Sequence, residues 1–317
     1  MATKLEWLRK PILIACLLFA ADQGVAQTIW VDDDKNNLYT IDLGNNNSIK
    51  PIVTISGLGT SLSDNQITDI AFDGNGKLWG ITFQSLYQID IGTGVATRAT
   101  NALGGGDAAP SFTSLVFGAD GTLYAANQGV GQPSGQLFTV NTDTTNAATF
   151  GKATSVNGDP TAPQQSAACL AQSGGGNDSC PFIATHPAFR SSGDLAFVGG
   201  QLFLSSTATG VPDSLVNLDQ GAVAGTPHSL GNTAVWGLAT VGTSLFGAAG
   251  QSIYTVDTGS GAMKLLQTYS TTGNFNGATY YEGAVAGVPE PSTYAMLLAG
   301  LGFIGFVARR RLPAAAR

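Results

Sequence analysis

The body of this chain copies itself. Leu38-Tyr39-Thr40-Ile41-Asp42 returns as Leu86-Tyr87-Gln88-Ile89-Asp90, Leu137-Phe138-Thr139-Val140-Asn141, Leu215-Val216-Asn217-Leu218-Asp219 and Ile253-Tyr254-Thr255-Val256-Asp257. Each copy alternates large apolar with polar or smaller residues and ends on Asp or Asn, the pattern of a strand running into a turn. Gly92-Thr93-Gly94 and Gly259-Ser260-Gly261 follow the second and fifth copies, with the chemistry of a tight hairpin. A second segment type precedes these copies: strand, glycine turn, strand. Its best example runs from Ile70-Ala71-Phe72 through Asp73-Gly74-Asn75-Gly76 to Leu78-Trp79, and others begin at Leu115, Leu195 and Leu238. Phe72 and Phe117 are 45 residues apart and Phe197 and Thr240 are 43 apart, whereas 80 separate Phe117 from Phe197.

A period near 45 with about four short strands per unit predicts an all-β, β-propeller-like body of five to six blades. The 80-residue gap holds either a sixth blade or an extended loop. Thr28-Ile29-Trp30-Val31 resembles the Leu78-Trp79 strand but has no partner before it, and Gly277 to Gly283 resembles what is missing. Strands from both ends of the body would then share one blade and close the ring, leaving no open sheet edge. A two-sheet sandwich and a β-solenoid are the rival architectures. The repeats loosely resemble those of secreted bacterial propellers of the NHL kind, a likeness that implies a fold and no activity.

Residues 27–287 carry eighteen Asp/Glu against seven Lys/Arg, a formal charge of −11. That balance argues against nucleic acid as a partner and allows contact with divalent cations or cationic polymers. Gly, Thr, Ser, Asn and Ala are plentiful, as many short turns require.

The tail is of another kind. Val288-Pro289-Glu290-Pro291 stands before fifteen uncharged residues, Tyr294 to Ala308, and that run stops at Arg309-Arg310-Arg311. As a C-terminal single helix, 294–308 would span roughly 22 Å, short of a hydrocarbon core of about 30 Å. The arginines predict a cytoplasmic end and place the preceding chain outside. Pro289 and Pro291 keep their predecessors extended, which suits a protease subsite. Motif, apolar run and basic stop, in this order, resemble the PEP-CTERM sorting signal of Gram-negative bacteria over about the last thirty residues. The resemblance implies recognition by exosortase, a membrane cysteine protease/transpeptidase, cleavage near Pro289-Glu290-Pro291, and delivery to the cell surface or an extracellular matrix. Exopolysaccharide or other surface proteins would be the partners there. A plain membrane anchor is the alternative.

At the other end, Lys4, Arg9 and Lys10 precede an apolar run, Ile12 to Ala21, with Gly24 and Ala26 as small residues beyond it. This predicts a signal peptide, 1–26, cut between Ala26 and Gln27. An uncleaved helix, or a lipobox at Cys16, is the alternative. The expected division is thus a signal peptide, a propeller-like domain at 27–287 and a sorting signal at 288–317. Without Cys16 two cysteines remain, Cys169 and Cys180, and an even pair in an exported chain predicts a disulfide.

Groups that carry chemistry are few. His186 and His228 are the chain's two histidines, and no Gly-x-Ser-x-Gly elbow occurs. No catalytic residue and no cofactor is assigned. Asp32-Asp33-Asp34 is the one dense acidic run. It offers hard oxygen ligands for Ca²⁺, yet it lacks EF-hand spacing, and a solvated turn at a strand end is the simpler expectation. Asp69, Asp194 and Trp236 precede equivalent strands, where they would line a central channel or serve hydrogen bonds within blades. Trp30, Trp79 and Trp236 are expected to pack between blades. The function predicted is a binding or structural propeller of unknown ligand; a secreted hydrolase or lactonase with a metal-dependent channel site is the alternative.

Overall fold

The computed structural model describes residues 27–103, 111–128, 137–156, 164–165, 182–183, 191–208, 211–218, 228–231 and 233–280. The sequence repeats become antiparallel four-stranded sheets. Blade 1 joins β1 (Thr28–Asp33), β2 (Asn37–Asp42) and β3 (Ser48–Thr54) to β22 (Phe275–Tyr280), in the order β22-β1-β2-β3. Blade 2 is β4 (Asp69–Phe72), β5 (Leu78–Ile81), β6 (Ser85–Ile89) and β7 (Ala96–Ala102). Blade 3 is β8 (Phe112–Phe117), β9 (Leu123–Asn127), β10 (Leu137–Val140) and β11 (Ala153–Ser155). Blade 4 is β14 (Ser191–Val198), β15 (Gln201–Ala208), β16 (Val211–Asn217) and β17 (His228–Ser229). Blade 5 is β18 (Gly237–Val241), β19 (Ser244–Ala249), β20 (Ser252–Val256) and β21 (Met263–Thr268).

The Leu-Tyr-x-Ile-Asp copies are the third strands. Their terminal carboxylate or amide organises the turn that follows: Asp90 Oδ1 accepts from the amides of Gly92 and Thr93 at 2.8 and 2.9 Å. Asp257 accepts in the same way from Gly259 and Ser260. Gly94 and Gly261 close these two turns at φ 76° and 72°, a region that favours glycine.

Ring closure is set by the pairing of β1 with β22, in which Ile29, Trp30 and Val31 face Tyr280, Thr279 and Ala278. One C-terminal strand completes the first blade, rather than a pair. The innermost strands β4, β8, β14, β18 and β22 pack side by side around an axis, and β22 returns to β4. The apolar core divides accordingly into five clusters, one at each junction between neighbouring blades. Because β8 packs directly against β14, no blade intervenes in the 80-residue gap and the count is five. Within that gap, β12 (Gln164–Gln165) and β13 (Phe182–Ile183) form a separate two-stranded pair.

Trp79 shows how a junction is filled. It lies 2 % exposed in the core between blades 2 and 3, with Phe150 edge-on at 6.1 Å and Phe117 tilted at 6.5 Å. Its indole N–H donates to Asp73 Oδ2 at 3.3 Å, while Asp73 Oδ1 accepts from Asn75 and Lys77 and holds the β4–β5 turn. Trp79→Ala removes both the filling and the donor, and is expected to cost about 3–5 kcal/mol in denaturant unfolding.

Candidate functional site

Equivalent positions on the five inner strands face the axis three residues before Phe72, Phe117, Phe197, Thr240 and Tyr280. They are Asp69, Ser114, Asp194, Gly237 and Gly277. Two carboxyls, one hydroxyl and two glycines thus form the waist of the propeller.

The carboxyls fasten neighbouring blades. Asp69 Oδ1 accepts from the amide of Ile70 at 2.7 Å and its Oδ2 from Leu115 of the next blade at 2.5 Å. Asp194 repeats the arrangement, accepting from Leu195 at 2.5 Å and from Leu238 of the next blade at 2.6 Å. Between blades 3 and 4 hydroxyls take over: Ser114 is hydrogen-bonded to Ser191 and donates to the Gly193 carbonyl at 3.1 Å. Glycine makes room for the carboxyls. A Cβ on Gly277 would stand 2.5 Å from Asp69 Oδ1 and 2.7 Å from Asp32 Oδ1.

Asp69 and Asp194, on blades 2 and 4, also act on each other electrostatically. Both are fully buried. Burial pushes Asp69 well above the usual carboxylate range, and the charge of Asp194 adds to this. Burial raises Asp194 to about 7, opposed by its interaction with Asp69 and by the amides of Leu238, Leu195 and Ala278.

Asp32 is drawn into the same centre. Its Oδ1 accepts from Gly277 N at 2.9 Å, its Oδ2 is buried without a hydrogen-bond partner, and burial raises its pKa well above the ordinary value. The solvated turn expected for Asp32-Asp33-Asp34 is therefore corrected, since Asp32 and Asp33 are both fully buried. Nor do the three carboxylates converge on one point. Asp33 Oδ1 accepts from the amides of Lys35 and Asn37 and its Oδ2 from the Tyr39 hydroxyl, while Asp34 pairs with Lys35 at 3.4 Å. Strand alternation sends neighbouring side chains to opposite faces, so a dense run in sequence becomes three separate tasks. Among the described residues no group of three His, Cys, Asp or Glu side chains is placed to hold a metal ion.

The other expected positions sort as follows. Asp69 and Asp194 lie on inner strands, fully buried rather than open to a channel, and they bond between blades rather than only within them. Trp30 and Trp79 are core residues, but Trp236 is 39 % exposed; it stands one residue ahead of β18, where the strand has not yet entered the packed layer. His228 lies in β17 opposite Leu215, at the outer edge of blade 4. His186, Cys169, Cys180, the Ala26–Gln27 bond, Val288 to Pro291, the 294–308 helix and Arg309 to Arg311 fall outside the described residues.

Above the waist the axis opens into a cavity of about 220 Å³ lined by Gln66, Thr68, Phe83, Thr113, Gln128, Trp236 and Asn276. Four blades supply these residues, with Thr68 and Trp236 directly before an inner strand. Sequence periodicity did not single them out, except for Trp236. Below the waist the axis continues into a cavity of about 150 Å³ between the inner strands of blades 3, 4, 5 and 1, walled largely by apolar residues such as Leu115, Leu195, Leu238 and Ala278.

A family model described as the PEP-CTERM protein-sorting motif matches residues 287–311. The motif implies export, processing by exosortase and sorting to the cell surface. No curated protein matches the chain. Among solved structures, the PQQ-bound aldose sugar dehydrogenase of Streptomyces coelicolor is similar at 14 % identity and a TM-score of 0.44, over 71 % of this chain and 86 % of that one. A putative gluconolactonase is similar at 13 % identity and a TM-score of 0.41, over 80 % and 82 %. The virginiamycin B lyase of Staphylococcus aureus is similar at 11 % identity and a TM-score of 0.38, over 79 % and 72 %. Likenesses this distant carry nothing about activity.

Proposed function

We propose that this chain is an exported surface protein whose five-bladed propeller is a binding module, delivered by a C-terminal signal that is cut off. The observation that carries the binding reading is the waist. Its carboxyls are sealed from solvent and already accept hydrogen bonds from backbone amides, so they serve to fasten blades and are poorly placed to act on a substrate. The hydrolase or lactonase alternative needs acidic groups open to a channel mouth, and among the described residues no titratable side chain lines the mouth described above.

The route follows from the sequence. A signal peptide, 1–26, is removed between Ala26 and Gln27. The 294–308 segment then lodges in the inner membrane, with Arg309, Arg310 and Arg311 on the cytoplasmic side. In that position the Pro289-Glu290-Pro291 stretch meets exosortase at the periplasmic face of the same membrane. Cys169 and Cys180 form a disulfide once outside, closing a short loop that contributes roughly 2–3 kcal/mol. Exopolysaccharide or surface proteins are the partners proposed at the destination.

Alanine at Pro289, Glu290 and Pro291 together is expected to leave the tail uncut. The mutant protein should stay in the membrane fraction at the mass of the unprocessed form, while wild type appears at the surface shortened by about the last thirty residues. Intact-mass spectrometry of fractionated cells reads both. Unchanged mass and destination in the triple mutant would refute the route.

A further inference from the structure

We infer that the mouth above the waist is a binding site for a neutral, polyhydroxylated ring, such as one sugar unit of a glycan. This deepens the binding reading proposed above and rests on it.

Three observations converge. The first is aromatic: Trp236 is the exposed member of the three body tryptophans, at 39 % against 4 % for Trp30 and 2 % for Trp79, and half-buried Phe83 lines the same cavity. An aromatic face left in contact with water at a concave site offers a platform for the C–H face of a sugar ring. The second is polar. The side-chain amides of Gln66 and Gln128 make no hydrogen bond among the described residues, although both residues are half-buried. Asn276 donates from Nδ2 to the Ile67 carbonyl at 3.1 Å, which leaves Oδ1 as an acceptor. An amide presents donor and acceptor together, which matches hydroxyls that both give and receive. The third is charge. Among the described residues no Asp, Glu, Lys, Arg or His lines the cavity, although the body carries a formal charge of −11, so the described lining offers a charged ligand no partner.

Size limits the ligand further. About 220 Å³ lies below the roughly 300 Å³ at which drug-sized pockets begin. One ring fits, with any further units of a chain running outward. Below the ring the waist closes the floor: Thr68 and Thr113 stand immediately before Asp69 and Ser114. Thr68 Oγ1 donates to the Phe112 carbonyl, and Thr113 Oγ1 donates to Ser191 Oγ at 2.7 Å, so the floor is rigid and its donors are already used.

The test titrates the full chain in detergent with glucose, galactose, mannose, N-acetylglucosamine and their neutral oligomers, with galacturonic acid as the charged control. Calorimetry is read beside the fluorescence component that Trp236→Phe removes. The expected result is saturable binding of at least one neutral sugar that changes the Trp236 signal and is weakened tenfold or more in both Trp236→Ala and Gln66→Ala, with unfolding midpoints unchanged. Galacturonic acid should bind more weakly than its neutral counterpart. If binding is found but both variants leave it unchanged, the mouth assignment fails while the propeller remains a binding module. If no neutral sugar binds and a glycan and surface-protein array shows no other ligand, both readings fail together.

Discussion

Gly277→Val should be among the most damaging single changes in the body. A Cβ at this position would stand 2.8 Å from the Cα of Asp69 as well as close to two carboxyl oxygens. A side chain can rotate away from a carboxyl, but not from a neighbouring strand's backbone. Strand β22 must then shift, and β22 both closes blade 1 on β1 and packs against β4 and β18. One displacement disturbs two blade junctions and the hydrogen bond from Gly277 to Asp32. A loss above about 4 kcal/mol, or failure to accumulate folded protein, is expected in denaturant unfolding. Gly74→Ala is the control: nothing lies within 4 Å of a Cβ there, and stability should stay within about 0.5 kcal/mol. Equal stability of the two variants would contradict the packed waist.

The second large effect is on pH. Asp32, Asp69 and Asp194 all have folded-state pKa values raised above the ordinary carboxylate value, chiefly by burial. The folded protein therefore binds protons that the unfolded chain releases. Its stability contribution from these groups is fully present below about pH 4, the unfolded value, and is lost as pH rises through the folded values, near 7 for Asp194. Exposed Asp90, Asp143 and Asp257 act in the opposite sense. Hydrogen bonds from the Thr93 amide, the Thr145 hydroxyl and the Ser260 hydroxyl, respectively the largest cause for each, lower their pKa values, so their contribution is present above about pH 4 and lost as pH falls through the folded values. The two trends place maximal stability near pH 4, the unfolded carboxylate value. From pH 5 to pH 8 the melting temperature is expected to fall by several degrees, at roughly 2–4 °C per kcal/mol for a body of this size. Asp194→Asn cannot ionise and should flatten the slope, although it disturbs one of the two amide bonds and lowers stability overall. Thermal melts across pH 3.5–8.5 decide the matter; a wild-type stability that rises toward pH 8 would overturn the account of the buried carboxyls.

How much of this was legible beforehand follows from what sequence periodicity can encode. Local strands and turns were, because Leu-Tyr-x-Ile-Asp and the Asp-Gly turns are read within ten residues. Closure by β22 was legible too, since blade 1 visibly lacked an inner strand, although one strand sufficed where a pair was expected. Blade number was ambiguous because a gap of two periods looks the same whether it holds a sheet or an excursion, and only the packing of β8 on β14 decides. Burial of Asp32 and Asp33 ran against their charge, a tertiary effect with no local sign. The meeting of Asp69 and Asp194 needs two blades placed across an axis, and the mouth needs four. Neither is a pattern along the chain. By its position in the repeat Trp236 reads both as a channel-lining residue and as a core residue, and the structure puts it just before the layer begins, at the axial cavity.

The β1–β22 pairing also has a temporal meaning. Export delivers the chain from one end to the other, and the first blade stays incomplete until Phe275 to Tyr280 have arrived, a few residues ahead of the sorting motif at 287. The propeller thus cannot lock shut while much of its body is still in transit. Ring closure is therefore among the last steps of export, and a molecule shortened before Phe275 would lose its closing strand and its sorting motif together.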